Sequence, residues 1–155
     1  MKKGAAITAA FISAPVGPLT GAFASLALSF DDYYERTLAR NSLSRDNGYL
    51  IADPTPYEFF VSVLPTTMNI AVLGTVFAVV AHLLIGIPTV LFSANSFRES
   101  VIMQLSAPMI IGALSGVIFF SKLIGPLPSV VAGGAGAFAM ALCARLFSRD
   151  IERHA

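Results

Sequence analysis

The chain has 155 residues, of which 55% are apolar and only 12% charged, against about 25% charged in a water-soluble domain. Its formal net charge is +1, with two histidines and one cysteine. This composition excludes an electrostatic nucleic-acid binder, an internal disulfide, and a metal centre that needs clustered His, Cys or carboxylate ligands.

The charges are segregated. No Asp, Glu, Lys or Arg occurs in 4–30, 59–97, 101–121 or 123–144. A bilayer core takes roughly 20 apolar residues per helix, so each run is long enough for a span. There is too little polar sequence to coat a soluble bundle. The expected fold is an all-α integral membrane protein, one membrane domain over 1–155. Four transmembrane helices, at about 5–29, 67–91, 101–123 and 127–147, form a compact bundle with one polar outer loop at about 31–58.

The first apolar run follows "MKK" and contains "AFA" at 22–24, which also fits a secretory signal peptide with an Ala-x-Ala cleavage site. Pro15, Gly17 and Pro18 interrupt that run, and it continues through "SLALSF". A retained span accounts better for both features. In the outer loop, "DDYYERTLARN" suits a short surface helix, with Asp32 and Arg36 one turn apart. "RDNG" and "DPTP" are turn chemistry. The loop holds every tyrosine of the chain, and Tyr33 and Tyr34 are adjacent. They read as interface anchors or, with Arg36 and Arg40, as a partner-binding surface.

The second apolar run is longer than one crossing needs. Pro65, Thr66 and Thr67 suit a helix start after an interfacial "YEFFVSVL" segment; a continuous helix kinked at Pro65 suits it as well. Near its other end Pro88 removes a backbone donor and bends or stops the helix. Cytoplasmic loops carry the excess of Lys and Arg. An inside N-terminus puts Lys2, Lys3, Arg98, Arg145, Arg149 and Arg153 on the cytoplasmic side and Arg36, Arg40, Arg45 and Lys122 outside. Both termini are therefore expected in the cytoplasm. Lys122 and Arg145 sit at span ends, where they snorkel to the headgroups.

Helices in lipid associate where small residues let backbones approach. Each span carries a small-residue stripe, including Gly17 and Gly21 in the first, Gly112 and Gly116 in the third, and Ala132 and Gly136 in the fourth. His82 falls on the small-residue face of the second span and is the one ionisable side chain well inside a span. An intramembrane ionisable group is a functional-site hypothesis by default. Asn69, Thr75 and Gln104 are its candidate neighbours in a small polar site. The plainer reading is a neutral histidine bonding an adjacent helix. No carboxylate lies in the spans to pair with it, and His154 reads as a solvated tail residue.

No His-Glu-x-x-His and no phosphate loop occurs, and "AGGAGA" at 132–137 has no Lys-Ser/Thr after it. No catalytic residue and no cofactor is expected, and the chain reads as non-enzymatic. "GIPTVLF", Arg98, "GALSGVIFF" and "AGGAGAFAMALCARLFSRD" resemble small four-span bacterial inner-membrane proteins of unassigned function, over about residues 66–150. The resemblance implies residence in the bacterial inner (plasma) membrane and transfers no site residue. The expected function is protein–protein contact, as an accessory, regulatory or immunity-type protein with a protein partner or a homo-oligomer. The alternative is a small oligomeric channel or transporter using His82.

Overall fold

The computed structural model describes residues 3–153, and the side chains of all of these except 123 and 149–153. Lys2, the side chains of Arg149 and Arg153, and His154 therefore lie outside the described residues. The chain is helical nearly throughout, in the order α1 (Lys3–Ser13), α2 (Val16–Asp46), α3 (Pro56–Ala81), a π-helical turn (His82–Gly86), α4 (Ile87–Ser96), α5 (Val101–Ile124) and α6 (Pro126–Arg153). No strand occurs among the described residues. Four stretches are long and apolar enough to cross a membrane: Lys3–Asp46, Pro56–Ser96, Val101–Lys122 and Pro126–Ser148.

Local chemistry sets where these helices break. Pro15 and Pro18 lack the backbone donors that would bond the preceding turn, so the first stretch divides into α1 and α2 at Ala14–Pro15. From Pro18 to Asp46 there is no further proline, and Asp32 pairs with Arg36 at 2.9 Å across one turn. The helix therefore does not stop near residue 29 and restart in a polar loop. The expected surface helix is α2 itself, carried on to Asp46 and ended at Asn47 and Gly48, where Gly48 has φ +88°. Thr55 opens α3 with a capping box: its hydroxyl accepts from the Glu58 N–H at 3.2 Å, and the Glu58 carboxylate accepts from the Thr55 N–H at 2.7 Å. The helix thus starts at Pro56 and runs through Pro65. The polar connection shrinks to residues 47–55.

That connection folds back on α2. The Tyr34 hydroxyl donates to the Pro54 carbonyl at 2.9 Å, and Arg45 pairs with Asp53 at 2.8 Å. Phe30, Tyr34, Phe59 and Phe60 form an aromatic cluster, with ring centroids 5.5 to 6.4 Å apart. Tyr34→Ala removes one hydrogen bond and two aromatic contacts, a loss of about 1.4 kcal/mol that converts to roughly tenfold faster opening. Limited trypsinolysis at Arg40 and Arg45 is expected to accelerate by that factor, with Tyr34→Phe in between. Wild-type cleavage rates in both variants would show that the cluster does not hold the turn.

Pro88 lies in the first turn of α4, two residues past the π-helical turn. The Ile87 N–H donates to the His82 carbonyl, one residue further back than in an α-helix. The wide turn absorbs the missing donor and α4 continues. Gly125, at φ +84°, is the whole connection between α5 and α6, a conformation that glycine adopts without steric cost. α6 is the central element, packing on α5, α2 and α1. A Cβ added at Gly17 would lie 2.7 Å from the Ala132 carbonyl oxygen, and one at Gly21 would lie 2.6 Å from the Ala132 Cβ. On the adjacent face of α6, Cβ atoms at Gly112, Gly116 and Gly133 would collide with backbone of the facing helix. The backbones meet where side chains are absent.

Candidate functional site: a buried histidine beside an apolar groove

α3 leans chiefly on α2, and α5 lies along α6. The space between α3 and α5 stays open as a groove of about 450 Å³. Gly17, Gly136 and Met140 form its floor, Phe77 one wall, and Ile111 and Phe119 the other. Phe77 and Phe119 are exposed, so the mouth is apolar and faces sideways. The polar side chains in the lining are His82, Thr89 and Ser115. Thr89 is committed to its own helix, donating to the Ile85 carbonyl at 2.7 Å.

His82 is 9% exposed. Its Nδ1 lies 3.2 Å from the Ala10 carbonyl oxygen and 3.4 Å from the Ser13 Oγ. A carbonyl can only accept, so Nδ1 carries the proton of the neutral ring. The Ser13 hydroxyl already donates to the Ala9 carbonyl at 2.7 Å, leaving its oxygen to accept. Ala10 lies in the last turn of α1, where helix carbonyls are short of donors. His82 supplies one, tying α3 to the break between α1 and α2. In this tautomer Nε2 is a bare acceptor. It has no hydrogen-bond partner among the described residues and lies 3.3 Å from where a Cβ would stand on Gly136. Any side chain at position 136 crowds this nitrogen.

The structure does not gather His82, Asn69, Thr75 and Gln104. Thr75 lies about two turns before His82 on α3 and donates to the Ala71 carbonyl at 2.9 Å. Asn69 is exposed, further along the same helix. Gln104 donates to the Phe97 carbonyl at 2.8 Å and accepts from Arg145, joining the end of α4 to α6. Arg145 is roughly 14 Å along α6 from Gly136. The partners His82 does have, Ala10 and Ser13, lie about 70 positions away in sequence, and no local spacing signals them.

On the α2–α3 hairpin, Tyr34 is half-buried in the aromatic cluster, whereas Tyr33, Arg36 and Arg40 are exposed. Their spacing of three and then four residues puts them on one face of α2. Arg36 is paired with Asp32, and Arg40 has no carboxylate partner among the described residues. Leu43, Tyr49, Leu50 and Tyr57 add exposed apolar surface at the same end. No group of three His, Cys, Asp or Glu placed to hold a metal occurs among the described residues.

Fold and sites together define a helical bundle with four helices fit to cross a membrane, an overhanging hairpin and a lateral groove. Comparison with family models, curated proteins and solved structures finds no match to this chain.

Proposed function

We propose that this is an integral protein of a bacterial inner membrane, with both termini cytoplasmic, acting without catalysis by contact with a protein partner. The small-residue seams would hold its spans together in lipid. The α2–α3 hairpin would be its contact element, in an accessory, regulatory or immunity-type role.

The supporting observation is the overhang. Gly21 faces the start of α6 near Pro128, beside the α5–α6 connection. Asp46 lies about 37 Å further along α2. With that connection near the outer surface, the charged part of α2 stands clear of the bilayer. It presents Tyr33, Arg36 and Arg40 beside exposed Leu43 and Leu50. Tyrosine and arginine flanked by apolar surface are the composition enriched at interface hot spots. The second reading, a channel or transporter, draws on His82 beside its groove. Lost flux in His82→Ala with intact insertion would favour it.

The test is crosslinking and pull-down from native membranes, comparing the intact protein with Tyr33→Ala/Arg40→Glu. These side chains hold no internal contact described above, so folding should survive. Capture of a distinct partner should fall at least about thirtyfold, the equivalent of one hot-spot residue at roughly 2 kcal/mol or more. Undiminished capture of the same partner by the double variant would overturn the contact surface.

A further inference from the structure

We propose that the groove between α3 and α5 binds a neutral hydrophobic molecule of the long-chain alcohol type, whose hydroxyl donates to Nε2 of His82. The inference shares the membrane placement proposed above and is independent of the hairpin contact.

The chemistry of the occupant follows from what the groove offers and lacks. The volume, about 450 Å³, falls in the range of small-molecule sites. No Asp, Glu, Lys or Arg lines it. A phosphate, a carboxylate or an ammonium would enter without a counter-ion, at the cost of desolvating a charge. The floor and walls are otherwise glycine, aliphatic and aromatic, which suits a hydrocarbon body.

A hydrocarbon alone leaves one group unserved. His82 is nine-tenths buried. Its Nδ1 is engaged by Ala10, and its Nε2 is left as an acceptor at the groove floor. An acyl chain cannot donate to it. Nor can the Val, Ile, Leu and Phe side chains that dominate the exposed faces of α3 and α5, where a second copy would pack; the nearest exposed donors of α3, Thr66 and Asn69, lie about 20 Å or more along the helix from His82. A hydroxyl on an apolar body satisfies both demands. Ser115, whose hydroxyl has no partner among the described residues, stands about one turn along α5 from Gly112 and adds a polar contact on the opposite wall. The mouth is flanked by exposed Phe77 and Phe119, so an amphiphile dissolved in the bilayer reaches the site laterally.

The experiment uses the full chain, as His154→Ala so that His82 is the sole histidine, labelled with nitrogen-15 histidine. The protein is placed in nanodiscs of phosphatidylethanolamine and phosphatidylglycerol. It is titrated separately with 1-hexadecanol, hexadecane and palmitate. Hexadecanol should move the unprotonated-nitrogen resonance upfield, saturably, and hexadecane should not. A photoactivatable long-chain alcohol should label groove residues such as Phe77 and Ile111, with labelling reduced about fivefold in His82→Phe, the loss of one neutral hydrogen bond. The titration reads the native ring, so it stands even if that variant misfolds. An equal response to hexadecane would make the groove a plain hydrocarbon slot. Preferential binding of palmitate would make it an acid site. Crosslinks from groove residues to a second copy, with no alcohol labelling, would make it a self-association face. Each of these overturns the proposal. Hairpin variants that lose partner capture but keep the alcohol response would reject the contact function and leave this site standing.

Discussion

Gly133→Leu is expected to separate α5 from α6 and to prevent a folded bundle in mixed micelles. The Cβ of any side chain at this position would run into the Gly112 carbonyl and lie 3.0 Å from the Gly116 Cα. Overpacking a well-packed interior costs about 1–3 kcal/mol when side chains can change rotamer. Rotamers give no relief here, because the first side-chain atom itself meets backbone. Only displacement of a whole helix removes the clash, so the cost lies at or beyond the upper end of that range. Gly112→Leu/Gly116→Leu makes the same test from the other helix. Gly4→Leu is the matched control, since nothing lies within 4 Å of a Cβ there. The measurement is fraction folded against dodecyl sulfate in mixed micelles. A Gly133→Leu curve superimposable on that of Gly4→Leu would show that the two backbones do not approach closely.

Met140→Ala should give the second largest loss, about 2–3 kcal/mol. Met140 is 0% exposed, and its sulfur lies 2.6 Å from where a Cβ would stand on Gly86. Truncating a buried methionine in a water-soluble core costs about 2–5 kcal/mol, of which part is transfer from water and part the cavity left behind. With the membrane placement proposed above, the unfolded reference is already apolar, so the transfer part shrinks and lost packing dominates. The expectation is therefore the lower half of that range. Met140→Leu conserves volume and should cost under about 1.5 kcal/mol. If the Ala and Leu variants are equally stable, the floor of the groove contributes no packing. Met140→Ala also enlarges the groove, so it should loosen selection among alcohols of different chain length without removing the preference for a hydroxyl.

The helical class and the four helices long and apolar enough to cross a membrane were legible because charge exclusion from long runs is written in composition and needs no contact to be read. The extent of the helices was less legible. Hydropathy changes sign after Phe30, but helix termination depends on caps and breakers. The chemistry that stops α2 lies at Asn47 and Gly48, and that which starts α3 at Thr55 and Glu58. The position of His82 on a small-residue face was legible from helical spacing. Its partners were not, because Ala10 and Ser13 meet it only when α1 ends against α3. Polarity and helical spacing do not suffice to bring Thr75 and Gln104 to the ring. Thr75 instead bonds the Ala71 carbonyl one turn back, as short polar side chains in helices commonly do, and Gln104 bonds the Phe97 carbonyl at the end of α4.

The contact of Gly17 with Gly136 and Ala132 also orders the assembly in time. Synthesis delivers α1 and α2 first and α6 last, yet α6 is the surface on which both rest. In the membrane placement proposed above, α5 and α6, joined by one residue, would pair as soon as they enter the bilayer. The first two helices would wait there with a bare glycine face until that hairpin arrives. A ribosome stalled before residue 126 leaves that face unoccupied. The insertion machinery would then meet this chain as an early helix in search of its lid, the state from which non-native helix pairing competes.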